Sequence, residues 1–295
     1  MRITNRKGLP QPFVDAVTRD YEYTPKRYSV TQMLKGPREA ILCRRHADEI
    51  EKDVSEMVWL IFGTVAHSIL EQAQETDTQL KENKIAVEMP NGYTLSGIFD
   101  LYDDATGTVT DYKTASTWKV IFGDWADYRE QLLAYAWMLR QIGFDAKRGE
   151  IVALLKDHSK TKARTERSYP SDPVERVQFD FSDAELAEFG ERIAAKFREI
   201  ERCEALADDD LPLCSPEERW HKGDKWAVVK EGNKRAAKLF DSEPAAQAHA
   251  EKLQADTGKK HRVDFRPGTD QKCLEYCDAR PFCSYGRGLE VPDGR

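Results

Sequence analysis

Two short motifs hold residues that could do metal-assisted chemistry. In GTVTDYKTAS, Asp111 and Lys113 stand two residues apart on a segment that reads as a strand. Their side chains therefore share one face, while Tyr112 turns to the other. A carboxylate beside an ammonium is either a plain ion pair or a metal ligand next to a charge that acts on a nucleophilic water. The preceding segment, YTLSGIFDLYDD, reads as a second strand, with DDATG as the connecting turn. A hairpin centred between Ala105 and Thr106 sets Asp100 opposite Asp111, with Cβ atoms roughly 4.5–5.5 Å apart. Carboxylates that close repel one another unless a cation lies between them. A slipped or bulged register would separate them instead.

Two helices must flank these strands. In MVWLIFGTVAHSILEQAQE, Val58, Phe62, Val65, Ile69 and Ala73 recur at steps of three and four, the pattern of an amphipathic helix. His67 lies on it. Gly63, one turn earlier, costs about 1 kcal/mol in a helix and so points to close packing or to access. A lone helical histidine is ordinarily a core or surface residue. In GDWADYREQLLAYAWMLRQIGF the steps Trp125, Tyr128, Leu132, Tyr135, Leu139 and Ile142 define a second helix, with Asp124 as N-cap and Gly143 as its stop. Gln131 and Tyr135 are one turn apart and can present polar tips to one place. By themselves they read as a surface and a core residue.

The remaining segments fill in a mixed α/β chain. KIAVEMP, GEIVALLKDHS and VERVQFDFS read as further strands. Residues 1–30 read as an irregular lead-in, followed by a short helix capped by Ser29 or Thr31 and another starting at Pro37. Between two strands, KDHSKTKARTERS is loop-like and basic, with Lys160, Lys162 and Arg164; it is either a solvated loop or one that tracks phosphates. Ser182 and Glu185 open a long helix that carries Cys203. After a shift in composition, WAVVKEG, the run from Asn233 to Gly258, and HRVDFRPG read as strand, helix, strand.

Composition bounds the class. The 295 residues are 40% apolar and 33% charged, with net charge −7. That is globular in character, with no apolar run of the roughly 18 residues a membrane helix needs. An acidic total argues against a passive nucleic-acid coat but not against an enzyme with local basic patches. The first residues lack the apolar core of a secretory signal, so a cytoplasmic, reducing setting is expected. There, disulfides are the poorer reading of six cysteines. Cys273, Cys277 and Cys283, spaced C-x3-C-x5-C, instead read as thiolates for a metal or cluster.

Taken in order, GTVAH on a helix, GIFD and DYK on successive strands, and QLLAY on the next helix resemble the RecB-like branch of the PD-(D/E)XK nuclease superfamily. The likeness is strongest to phage-borne and CRISPR-associated members and covers roughly residues 29–206. It implies a restriction-endonuclease-like α/β core, a mixed central sheet flanked by helices. It implies that His67, Asp100 and Asp111 bind Mg²⁺ or Mn²⁺, that Lys113 is the catalytic lysine, and that Gln131 and Tyr135 form the family's Q-x3-Y motif. Glu71 is the candidate for the family's first-helix glutamate. Lys160, Lys162 and Arg164 become nucleic-acid contacts.

The cysteines extend the likeness. Some RecB-like nucleases hold a 4Fe-4S cluster with four cysteines, three of them near the C-terminus, as Cys273, Cys277 and Cys283 are here. In many relatives the fourth sits in a Cys-Pro pair, but this chain has Gly36-Pro37. Cys214 is favoured over Cys43, and a structural Zn²⁺ is the rival occupant. The expected organisation is a nuclease core over 1–206, a small insert over 207–270 and a cysteine segment over 271–295 closing onto the core. The function so implied is a DNA exonuclease on single strands or free ends, in phage recombination, repair or DNA processing. Recombination or replication proteins would be further partners. A structure-specific endonuclease and a non-cleaving DNA-end binder are the alternatives.

Overall fold

In a computed structural model, residues 1–18, 23–74 and 76–290 are described. The chain divides into two compact units, Met1–Ala207 and Asp208–Arg295. The first begins with β1 (Arg2–Thr4), α1 (Gln11–Val17), β2 (Arg27–Ser29), α2 (Val30–Met33), α3 (Pro37–Arg45), β3 (Glu51–Asp53) and α4 (Val58–Glu71). The lead-in is therefore more ordered than expected: β1 pairs in parallel with β3, and Val17, Val54 and Met57 form a satellite core. Ser29 closes a capping box with Gln32 at the start of α2, and Pro37 stands in the first turn of α3, where a missing N–H costs nothing.

The chain continues through β4 (Gln79–Glu88), β5 (Thr94–Asp103), β6 (Thr108–Ala115), α5 (Thr117–Phe122), α6 (Ala126–Gln141), β7 (Arg148–Leu155), α7 (Lys160–Thr165), β8 (Val174–Asp180) and α8 (Asp183–Glu204). The strands join β2 in one six-stranded mixed sheet of order β2-β5-β6-β7-β8, with β4 also on β5. The expected mixed sheet flanked by helices is present. Leu132, Leu133, Met138 and Leu139 of α6, with Phe189, Phe197 and Ile200 of α8, complete its main core. Ser182 caps α8 by accepting the Glu185 N–H. Two local details differ. Trp125, not Asp124, holds the N-cap position of α6, without a side-chain bond. Part of the basic stretch after β7 is helical, because Ser159 accepts the Lys162 N–H and so starts α7.

The sheet splits where the chemistry lies. The β5–β6 hairpin has the expected register, with Leu101 opposite Thr110 and Tyr102 opposite Val109. Yet the ladder stops there, one pair short of Asp100 and Asp111. β4 lines one whole edge of β5, so β2, at Thr94–Ser96, and β6, at Leu101–Asp103, share the other. Between them the far edge of Gly97–Asp100 is left open, while β6 runs on against β7 as far as Ala115. Into this fork Tyr135 rises from α6. A Cβ on Gly97 would meet its ring at 2.6 Å, so only glycine lets that helix approach.

The apolar stripe of α4 is not a core face. None of its residues is buried, and Trp59, Phe62, Val65 and Ile69 are each at least half exposed. Periodicity reports a helix and cannot report whether a partner covers it.

The second unit comprises β9 (His221–Lys222), β10 (Lys225–Lys230), β11 (Ala236–Phe240), α9 (Glu243–Thr257), β12 (His261–Arg266), β13 (Thr269–Asp270), α10 (Gln271–Glu275) and α11 (Ser284–Gly288). The strand-helix-strand expectation gains a strand: β11 pairs antiparallel with β10, and α9 begins only after Phe240. Pro244 explains the boundary, being tolerated in the first turn of a helix and not inside one. Val228, Ala246 and Ala250 make the core of this small sheet and its helix.

Gly97→Ala tests the fork directly. The buried Tyr135 ring must move, at a cost of roughly 1–3 kcal/mol for overpacking. Thermal denaturation should show a lower melting temperature, whereas Gly63→Ala, whose Cβ would meet only Thr114 Oγ1 at 3.9 Å, should raise it by the helix propensity gained, about 1 kcal/mol.

Candidate active site

Three side chains converge at the open edge of β5. His67 of α4, Glu82 of β4 and Asp100 of β5 offer ligand atoms that all lie within 4.8 Å of one another. His67 Nδ1 is 3.3 Å from Asp100 Oδ1 and 3.5 Å from Glu82 Oε1. Its other nitrogen, Nε2, stands 3.1 Å from the Tyr112 carbonyl, which can only accept. That bond places the proton on Nε2 in the neutral ring and leaves the Nδ1 lone pair facing the carboxylates. Asp100 Oδ2 in turn accepts the Tyr112 N–H at 2.7 Å, so the side chain takes the place of the missing ladder partner.

Asp111 sits beside this group, almost wholly buried. Its Oδ1 is 3.5 Å from Gln131 Nε2, and its Oδ2 is 2.6 Å from Lys113 Nζ. The second contact lies outside hydrogen-bond geometry, so that buried oxygen has an ion-pair neighbour and no hydrogen bond. Burial pushes the Asp111 carboxyl up to about 6, against the lowering effect of Lys113. The Tyr135 hydroxyl, raised to about 12 chiefly by burial, bonds to Gln131 and so completes a chain from α6 to Asp111. Tyr128 places its ring 5.4 Å from Lys113 Nζ and 4.5 Å from Lys119 Nζ.

Glu82 is the residue that sequence reasoning missed. Its neighbours Lys81 and Asn83 pair with Leu101 and Phe99, which sets Glu82 across from Asp100. Glu82 itself has φ +48°, in the left-handed region, and drops out of the ladder. A non-glycine residue there is strained by roughly 1–3 kcal/mol, a feature that clusters at functional sites. A signal existed. Pro90-Asn91-Gly92 forms the β4–β5 turn, with Gly92 at φ +76°, and counting outward from Asn91 lands Glu82 on Asp100. Reading the strand only from Lys84 stops two residues short. Glu71 lines the same cleft, which also takes in Trp59, Gly63, Tyr112, Lys113 and Thr114.

The donor set fits a hard divalent cation. Buried Asp100, Glu82 with its carboxyl pushed up by burial and by the Asp100 charge, and the His67 imidazole bring ligand atoms within 4.8 Å of one another, while Asp111, expected as a ligand, is not in that group. Oxygen ligands with one nitrogen suit Mg²⁺ or, better, Mn²⁺. His67, Glu82 and Asp100 would hold it, with Asp111 alongside.

The other expected site residues are not among those that line this cleft. Lys160, Lys162 and Arg164 are exposed on α7. Cys214, Cys273, Cys277 and Cys283 all belong to the second unit, whereas Cys43 belongs to the first; none is in a disulfide. In the second unit Arg219 Nε donates to the Cys214 carbonyl at 3.0 Å and ion-pairs with Asp270. Cys283 Sγ accepts the Gly286 N–H at 3.4 Å.

Comparison with known proteins identifies the family. A profile of the PD-(D/E)XK nuclease superfamily matches residues 66–284, well over half of the chain. Among solved structures, the protein SSO0001 is 17% identical, with TM-score 0.44, covering 64% of this chain and 82% of its own. A phage-related exonuclease from Haemophilus somnus 129PT is 12% identical, with TM-score 0.29 and coverages of 58% and 78%. LHK-Exo in complex with dAMP is 14% identical, with TM-score 0.31 and coverages of 59% and 91%. No curated protein matches the chain in sequence.

The titration of His67 gives a prediction. Its bond to Asp100 raises it from about 6.5 to about 9, so the charged form stabilises the metal-free fold. That contribution is complete below about pH 6.5 and is lost as pH rises through about 9. In EDTA, the melting temperature should therefore fall across this interval, and the fall should be smaller in His67→Gln. Equal slopes in the two proteins would contradict the assignment. Added Mn²⁺ should protect most at the alkaline end, where no proton competes for Nδ1.

Proposed function

The chain belongs to the PD-(D/E)XK nuclease superfamily, and on that premise we propose that it is a divalent-metal-dependent deoxyribonuclease of the RecB-like branch, an exonuclease acting on single strands or DNA ends. The observation that carries the reading is the convergence of His67, Glu82 and Asp100 beside the Asp111–Lys113 pair at a split in the sheet. A degenerate, binding-only relative would have no reason to keep five ionisable groups crowded there.

When bound, Mg²⁺ or Mn²⁺ supplies Lewis-acid polarisation of a phosphate oxygen and acidifies a ligated water. The residues of the chain do the rest. Lys113 carries its ammonium at the cleft wall, where it hydrogen-bonds the attacking water and offsets the negative charge that gathers on the phosphate oxygens. The water oxygen bonds to phosphorus as the bond to the leaving sugar oxygen breaks. Gln131, held by Tyr135, fixes the Asp111 carboxylate so that it cannot swing away with Lys113. Lys160, Lys162 and Arg164 on the exposed face of α7 are assigned to phosphates of the bound strand.

The second unit is assigned a 4Fe-4S cluster held by Cys214, Cys273, Cys277 and Cys283. Support comes from four reduced cysteines in one compact unit and from an N–H directed at the Cys283 sulfur. A structural Zn²⁺ is the competing occupant.

Lys113→Ala should reduce cleavage by about a hundredfold or more while the protein still folds and binds DNA, with a lowered melting temperature because buried Asp111 loses its ion-pair partner. Linear and circular single strands, each incubated with Mn²⁺ and with EDTA, check the rest. Loss of linear strands alone, only with metal, is expected. Loss of circles would mean an endonuclease, and loss of neither would sink the enzymatic reading. Purified protein should contain iron and absorb visible light, and Cys283→Ser should lose both; zinc without colour would overturn the cluster assignment.

A further inference from the structure

Beside the cleft just described lies a second one, and the two share Thr114. The second is built on α5, which follows directly from β6. Trp118 and Phe122, one turn apart on α5, stack with centroids 5.5 Å apart and planes 20° from parallel. They are also among the most exposed apolar side chains of the chain, at 57% and 74%. Lys119 and Lys156 line the same hollow. Lys156 Nζ lies 4.0 Å from the ring centroid of Trp59, which lines the first cleft and is itself 57% exposed. Among the described residues Lys156 has no carboxylate partner, whereas Lys119 is held 2.7 Å from Asp127.

Two flat rings left in water cost free energy that folding does not recover, because nothing among the described residues covers them. Rings interleaved with ammonium groups form the surface that single-stranded nucleic acid uses: bases stack on the rings and phosphates meet the cations. The topology adds direction. Lys113 and Thr114 lead straight into Ser116, the N-cap of α5, so a strand with one phosphate at Lys113 has its neighbouring nucleotides over this hollow. In a duplex the bases are stacked on one another and offer no free faces.

We propose that Trp118 and Phe122, with Lys156, form a base-stacking subsite that receives unpaired nucleotides next to the scissile phosphate and so selects single-stranded over duplex DNA. This rests on the nuclease reading above and names the strand form that the site prefers.

The test compares wild type with Trp118→Ala/Phe122→Ala and with the swap Trp118→Phe/Phe122→Trp. Binding is measured in EDTA, where no cleavage occurs, by fluorescence anisotropy. The probes are a short labelled oligodeoxythymidylate, an abasic oligomer of equal length, and a blunt duplex. The double alanine variant should lose about tenfold or more in affinity for thymidylate and little for the abasic strand or duplex. The swap should keep most of the affinity. Both side chains are exposed, and circular dichroism melting confirms that the variants fold. Equal thymidylate affinity in wild type and the alanine variant would overturn the subsite, as would parallel losses for thymidylate and the abasic strand. Self-association of wild type, seen by sedimentation and abolished in the alanine variant without any change in DNA binding, would assign the rings to a second copy instead and also overturn it. Cleavage of linear strands by wild type, scored separately, keeps these failures distinct from failure of the nuclease reading.

Discussion

Buried negative charge in a confined space is the constraint on which the first unit depends. Asp100 and Asp111 are each less than a tenth exposed, and Glu82 reaches the same point across β4 and β5. Carboxylates taken out of water are unfavourable unless cations or hydrogen bonds answer them. Here the answers are a protonatable histidine, one lysine, a backbone N–H and a glutamine amide. They remain insufficient: one Asp111 oxygen has no hydrogen bond, and the Asp111 and Glu82 carboxyls are both pushed up. A divalent cation bound beside these groups would relieve that imbalance.

The fork in the sheet is what makes the arrangement possible. Had β5 and β6 stayed paired past Leu101 and Thr110, the Tyr112 N–H would have met a backbone carbonyl and not the side chain of Asp100. The divergence is filled from α6, where Tyr135 occupies the space that a Cβ on Gly97 would need. Glu82 pays for its position with a left-handed backbone. Packing, backbone strain and unsatisfied charge thus meet within a few residues, as expected of a site retained for function at the expense of stability.

Surface features follow the same division between what the core requires and what it does not. Burial explains α6 and α8 along their lengths. It does not explain the exposed rings of α4 and α5, which frame the two clefts around Thr114. In the second unit the short strands and helices leave the four cysteines within one compact body, and Arg219, Asp270 and Tyr285 tie its segments together. No helix among the described residues is long and apolar enough to cross a membrane.

The amino-acid order by itself determined which elements form and which residues share a face, because both depend on local periodicity and turn chemistry. Asp111 and Lys113 were legible as neighbours on one strand, Gln131 and Tyr135 as neighbours on one helix, and the β5–β6 register followed from its turn. Counting carried the register as far as Leu101 opposite Thr110, one pair short of Asp100 and Asp111. What counting could not provide was the end of the ladder, since strand divergence depends on the helix packed beneath it. Glu82 was hidden for the same kind of reason: its role arises from pairing to a distant strand and from a backbone angle that no propensity favours. The stripe on α4 was legible as that of an amphipathic helix, yet tertiary structure left it in water, because amphipathicity records a preference for cover and only the packed chain decides whether cover exists.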